Sequence, residues 1–199
     1  MASMWFSVIA DYPAAEEYGR AGVEAQAAID GLNNPAIESS VVLQAGFAAF
    51  ATGDHKTAIR EWRRAADLGA SSGNRIVEGL GLVTAVTRSV AIDHDDLAEL
   101  LHEAIDRLDG LRLRSYLYVA MTGLADWWAR TGRIELAAQL IGFLDAVDPV
   151  GNPTFGDLRT HADNMIAQHP NVEKWKAIGS TRDRDAAVAF CLDQLDADV

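Results

Sequence analysis

The chain has 199 residues, with 17 Lys and Arg against 29 Asp and Glu, a formal charge of −12 at pH 7. At 49% hydrophobic and 23% charged residues, the composition excludes general disorder, and the acidic balance excludes the broad basic footprint of a nucleic-acid binder. The single cysteine, Cys191, excludes a disulfide framework and fits a reducing, cytoplasmic compartment. The longest uncharged run, Ser39 to Gly53, has 15 residues, short of the roughly 20 that a membrane helix needs.

Alanine, leucine, glutamate and arginine recur with apolar residues at steps of three and four, and no strand pattern interrupts them. The first segment, Met1-Ala2-Ser3-Met4, lacks the basic start of a signal peptide. Trp5, Phe6, Val8 and Ile9 read as the last turn of a helix that begins further upstream, so residues 1–10 are expected to be a helix remnant. Helices follow over 13–31, 35–52, 55–69, 74–91, 95–109, 113–131 and 133–146. Pro13, Pro35 and Pro153 suit first-turn positions, where the missing N–H costs nothing. Short connections predict antiparallel neighbours.

A turn followed by a small-residue helix start recurs. It reads Gly53-Asp54-His55-Lys56-Thr57-Ala58-Ile59, then Asp93-His94-Asp95-Asp96-Leu97-Ala98-Glu99, then Gly132-Arg133-Ile134-Glu135-Leu136-Ala137-Ala138. A weaker copy precedes them at Ala10-Asp11-Tyr12-Pro13-Ala14-Ala15-Glu16. The spacings of 43, 40 and 39 residues predict an all-α solenoid of stacked hairpins over 11–148, each burying its open face on the next. A non-repetitive helical bundle is the alternative. After Pro149 the rhythm weakens, and helices 154–168, 171–178 and 182–196 are expected to cap the stack over 149–199, with Trp175 and Phe190 as the cap's apolar pair. The whole chain is read as one helical-repeat domain, 1–199, of about ten helices.

No catalytic constellation emerges. His94 and His102 are eight residues apart, as are His161 and His169, whereas a helical zinc pair uses four-residue spacing. His94, Asp95 and Asp96 read as a helix cap rather than a chelator. Cys191 between Phe190 and Leu192 reads as a buried, inert thiol. Glu16-Glu17 and Glu99/Glu103 have no partner that would split their pKa values, and no serine nucleophile elbow occurs. Neither metal nor cofactor is expected. Of the tryptophans, Trp62 and Trp128 match packing positions. Trp127 points about 100° away from its neighbour and reaches a seam or the surface.

Ala45-Gly46, Gly53-Asp54, Ala58, Trp62 and Ala65 resemble a tetratricopeptide repeat, with Ala45 where Leu is usual. The stretch Leu124-Ala125-Asp126-Trp127-Trp128-Ala129-Arg130-Thr131-Gly132-Arg133 through Ala137-Ala138-Gln139-Leu140-Ile141-Gly142 is similar to the C-terminal helical region of large actinobacterial ATP-dependent regulators. These are the LuxR-type and AfsR-type proteins, and mycobacterial relatives carrying a class III adenylate cyclase domain. Ser72-Gly73-Asn74-Arg75 and the run Trp175 to Leu195 share the likeness, while a phosphate loop, a cyclase domain and a helix-turn-helix are absent from this sequence.

The resemblance implies a right-handed TPR-like solenoid whose first helices line a concave groove. It places Phe47, Phe50, Val83, Thr87, Arg88, Thr122, Asp126 and Arg130 in that groove. The leading expectation is a non-catalytic module for protein–protein interaction or signal sensing, cut from a larger regulator or cyclase. Its partners would be a protein, a peptide or other domains of the parent chain, with no direct contact to nucleic acid or membrane. An apolar end face left by truncation would promote a homodimer. The alternative is a small-molecule sensor with an internal apolar pocket at Tyr116, Tyr118 and Trp127.

Overall fold

The computed structural model describes Ala21 and residues 34–92, 96–151 and 156–197. Among the described residues there are nine helices and no strand. They are α1 (Pro35–Ala51), α2 (His55–Ser72), α3 (Arg75–Ile92), α4 (Leu97–Gly110), α5 (Arg114–Arg130), α6 (Ile134–Val147), α7 (Gly156–Ile166), α8 (Val172–Ser180) and α9 (Arg184–Asp196). Of the expected helix 13–31 only Ala21 is described, and it is helical; the remnant at 1–10, the early turn copy and the Asp93–Asp95 turn lie outside the described residues. No described helix is long and apolar enough to cross a membrane. The chain forms two compact units that divide within α3, at Ala85 and Val86.

Local chemistry sets the helix starts. Asn34 Oδ1 accepts from the Ala36 N–H at 3.1 Å with Pro35 as first residue, and Asp54 Oδ1 accepts from the Thr57 N–H at 3.1 Å. The Thr57 bond holds the Asp54 carboxyl below its ordinary range. Asp183 Oδ1 caps α9 through the Ala186 N–H at 2.8 Å. Each of these oxygens satisfies a donor that the helix itself leaves open.

Four of the helix ends share one geometry. After α1, Thr52, Gly53 and Asp54 donate to the carbonyls of Ala48, Phe50 and Ala49. After α5, Thr131, Gly132 and Arg133 donate to Trp127, Ala129 and Trp128 at the same offsets. Gly53 and Gly132 both have φ 82°, and Gly73 after α2 has φ 71°. Such left-handed closure ends a helix while satisfying its last carbonyls, and glycine takes it without a Cβ penalty. After α4 the offsets are again the same: Leu111, Arg112 and Leu113 donate to Arg107, Asp109 and Leu108. Here, 39 residues beyond Gly73, the left-handed position belongs to Arg112, with φ 55°.

In the first unit α1 packs on α2. Trp62 of α2 is fully buried, and a Cβ at Gly46 would overlap its indole, so Gly46 makes the room. Phe47 and Phe50 lie 5.4 and 5.8 Å from the Trp62 ring. The start of α3 approaches α2 backbone to backbone: a Cβ on Gly69 would stand 2.7 Å from the Glu78 nitrogen, and one on Gly81 2.7 Å from the Trp62 carbonyl.

In the second unit α4 packs on α5, α5 on α6, and α7 on both α5 and α6. The C-terminal helices do not simply extend this succession. Helix α8 packs on α6, and α9 returns to pack on α4. Trp128, fully buried, meets Phe190 of α9 edge-on at 5.7 Å. The expected Trp175–Phe190 pair does not form; Trp175 instead stacks on His169 at 4.4 Å. The reason is that α9 turns Phe190 toward α5, where the large apolar surface of Trp128 is available.

Candidate functional site

The expected groove residues separate by burial. Phe47, Val83, Thr87 and Asp126 are buried, Phe50, Arg88 and Thr122 are half-buried, and Arg130 is exposed. The first four therefore do not line an open groove. Phe47 is turned onto Trp62, while Val83 and Thr87 sit on a helix buried almost all round. The sequence signal for this was already in α3, whose run from Val77 to Val90 carries few charges and thus lacks a solvent face. Thr122 Oγ1 donates to the Tyr118 carbonyl at 2.8 Å.

Asp126 is the most constrained charged group among these. Its side chain is 0% exposed, and a lone buried carboxylate would be costly. Arg130, one turn on, donates to Oδ2 through Nε at 2.9 Å and Nη2 at 2.6 Å. The other oxygen, Oδ1, is paired with Nδ1 of His161 on α7. Asp126 thus ties α7 to α5 through His161, while Arg130 braces the carboxylate from within α5. Sequence reading placed both residues together but missed His161, 35 residues away in the chain, because nothing local announces that pairing.

A second polar cluster secures the same end of the unit. Arg159 Nε donates to Asp163 at 3.1 Å and its guanidinium also pairs with Asp145. Lys176 bridges Asp145 and Asp163 at 3.4 and 3.2 Å. These groups cross-link α6, α7 and α8. Helix α9 is tied to α4 by His102–Asp196 at 3.2 Å and Arg184–Asp109 at 3.3 Å. Arg182 reaches Gln139 and lies 4.1 Å over the Phe190 ring.

Among the described residues no group of three or more His, Cys, Asp or Glu could hold a metal. Cys191 is fully buried, and burial pushes its thiol well above the ordinary thiol range, opposite to what a nucleophile needs.

The three expected pocket residues part company as well. Tyr116 is half-buried. Trp127 is half-buried and carries the Arg133 guanidinium 5.3 Å over its ring, a surface cation–π contact. Tyr118 packs edge-on against Phe143 at 5.9 Å and lines an open pocket of about 460 Å³. The other lining residues are Arg112, Arg114, Arg184 and Asp185. This pocket is polar, neither enclosed nor apolar, and Tyr116 and Trp127 are not part of its wall. Its charged residues come from three places: the left-handed turn after α4, the first residue of α5 and the first two residues of α9. Sequence reading found the tyrosine and missed the arginines, since α9 reaches Tyr118 only by returning to α4.

Comparison with known proteins finds no matching family model, no matching curated protein and no matching solved structure.

Proposed function

We propose that the chain is a non-catalytic helical-repeat module that serves protein–protein interaction or signal sensing. The observation that carries this reading is the repeated turn. The same three hydrogen bonds and the same φ of 82° close the helices before Gly53 and before Gly132, two repeat periods apart. On this reading the hairpins are TPR-like and stack with a right-handed superhelical sense, and the module works in the cytoplasm as part of a larger ATP-dependent regulator or cyclase. The attachment rests on the likeness of Leu124–Gly142 to the helical region of actinobacterial regulators. Its partner is a protein, a peptide or another domain of the parent. Of the residues first assigned to the groove, Phe50, Arg88, Thr122 and Arg130 retain access to solvent.

The native reading frame tests the attachment. An upstream phosphate-loop ATPase or cyclase segment supports it, and a frame starting at Met1 or Met4 overturns it in favour of an independent adaptor. Robust nucleotide hydrolysis or cyclisation by the isolated chain would overturn the non-catalytic reading.

A second reading, small-molecule sensing, draws on the pocket beside Tyr118. Its polar wall changes the expected ligand from apolar to charged.

A further inference from the structure

The arginines at this pocket occupy places that backbone physics would fill otherwise. Arg112 sits at a left-handed position where the three matching helix ends have glycine, and a residue with a Cβ is disfavoured there. Arg114 is the first residue of α5, where a positive charge opposes the helix dipole. The other described helices have an acidic residue in the first turn or, in α2, the capping carboxylate of Asp54. Helix α5 has neither, and no capping side chain. In a chain of net charge −12, two arginines two positions apart, both at locally unfavourable places, line one open pocket.

Their charge is not consumed by the protein. Among the described residues neither Arg112 nor Arg114 has a carboxylate partner. Arg184, by contrast, is held by Asp109 at 3.3 Å and Asp185 at 2.8 Å. It forms a fixed wall whose charge is largely matched. The two unmatched guanidiniums suit a dianion, and their planar N–H forks match phosphate oxygens. A cavity of about 460 Å³ is of the size that holds a small organic ligand rather than a bare ion. The Tyr118 ring, braced by Phe143 at 5.9 Å, offers a surface for the body of such a ligand.

We propose that this pocket binds a soluble phosphorylated small molecule, with Arg112 and Arg114 gripping the phosphate and Tyr118 supporting the rest. This deepens the sensing reading and rests on it. The phosphate sits where the dipole of α5 also favours negative charge.

The test is calorimetric titration of the full chain with ribose 5-phosphate, inorganic phosphate, citrate and vesicles containing phosphatidic acid, at matched ionic strength. Saturable binding of ribose 5-phosphate is expected, tighter than inorganic phosphate. Arg112→Gly and Arg114→Gln are each expected to weaken it about tenfold or more, one charge-assisted pair being lost. Arg112→Gly restores the residue type of the matching turns, so it folds at least as well as the parent, and a loss of binding there is not a loss of structure. Binding that both variants leave unchanged overturns the site. Citrate bound more tightly than ribose 5-phosphate, and lost in the same variants, overturns the phosphate assignment while leaving a sensor. Vesicle binding without binding of soluble phosphates overturns the soluble ligand. No saturable binding of any probe overturns the proposal, whereas the sensing reading falls only if no class of small molecule binds the chain.

Discussion

Gly179 of α8 rests on the main chain of Gln139 in α6: a Cβ at Gly179 would overlap the Gln139 carbonyl oxygen. One turn along, Gly142 stands in the same relation to the carbonyl of Lys176. The two helices therefore cross with their backbones in contact, and two glycines facing in opposite directions permit it. Alanine at either position must push main chain rather than a flexible side chain. Gly142→Ala and Gly179→Ala are each expected to cost about 3 kcal/mol, the upper end for overpacking, read from urea unfolding. A cost near zero would mean that α8 can lift off α6 freely.

The buried Asp126 carboxylate depends on Arg130 and His161 together. Asp126→Ala is expected to cost about 2–3 kcal/mol, less than the full value for breaking a buried pair because both partners reach solvent. His161→Ala should cost less, since Arg130 still satisfies one oxygen. A double-mutant cycle between Asp126 and His161 should give a coupling of about 1 kcal/mol or more, and additive effects would show the pair to be incidental.

Arg112→Gly should raise stability by about 0.5–1 kcal/mol. The left-handed strain of about 1–2 kcal/mol is relieved, offset by the extra chain entropy of glycine. The converse change, Gly132→Ala, should lower stability by about 1 kcal/mol at the matching turn. Denaturant midpoints of both variants check the pair; a destabilised Arg112→Gly would contradict the strain argument.

Burial raises the Cys191 thiol above its ordinary value of 9.0 in the folded chain. A group raised on folding stays protonated while the unfolded chain ionises, so its contribution is complete below pH 9 and is lost as pH rises above it. Two results should follow. A thiol reagent at pH 8 should label Cys191 only when denaturant is added, and Cys191→Ala should flatten the fall in stability above pH 9. Rapid labelling of the native chain would place the thiol outside the core.

The local sequence carried the helices well because their limits are set locally. Asn34-Pro35, Asp54 and Asp183 start helices wherever they fold, and Gly53, Gly73 and Gly132 end them. The predicted segment 35–52 is α1 (Pro35–Ala51), and 133–146 is α6 (Ile134–Val147). Packing positions followed the same logic for Trp62 and Trp128, both fully buried. The candidate site was less legible. The repeat likeness places Asp126 and Arg130 in a groove, and a polar pair one turn apart looks alike in sequence whether it faces a partner or pairs with the half-exposed His161 of another helix. Arg112 hid its place in the repeat, since the glycine that marks the matching turns is missing there.

Helical periodicity, caps and turn residues by themselves determined an all-helical chain, the placement of its elements and the recurrence of its turns. These depend on contacts within a few residues, which the sequence states directly. Only tertiary structure decided that α9 returns to α4, that His161 closes on Asp126, and that Arg112, Arg114, Arg184 and Tyr118 share one pocket. Those contacts join residues far apart in the chain. They are selected by which apolar faces and charges the packed helices leave to be satisfied, and no local pattern encodes that choice.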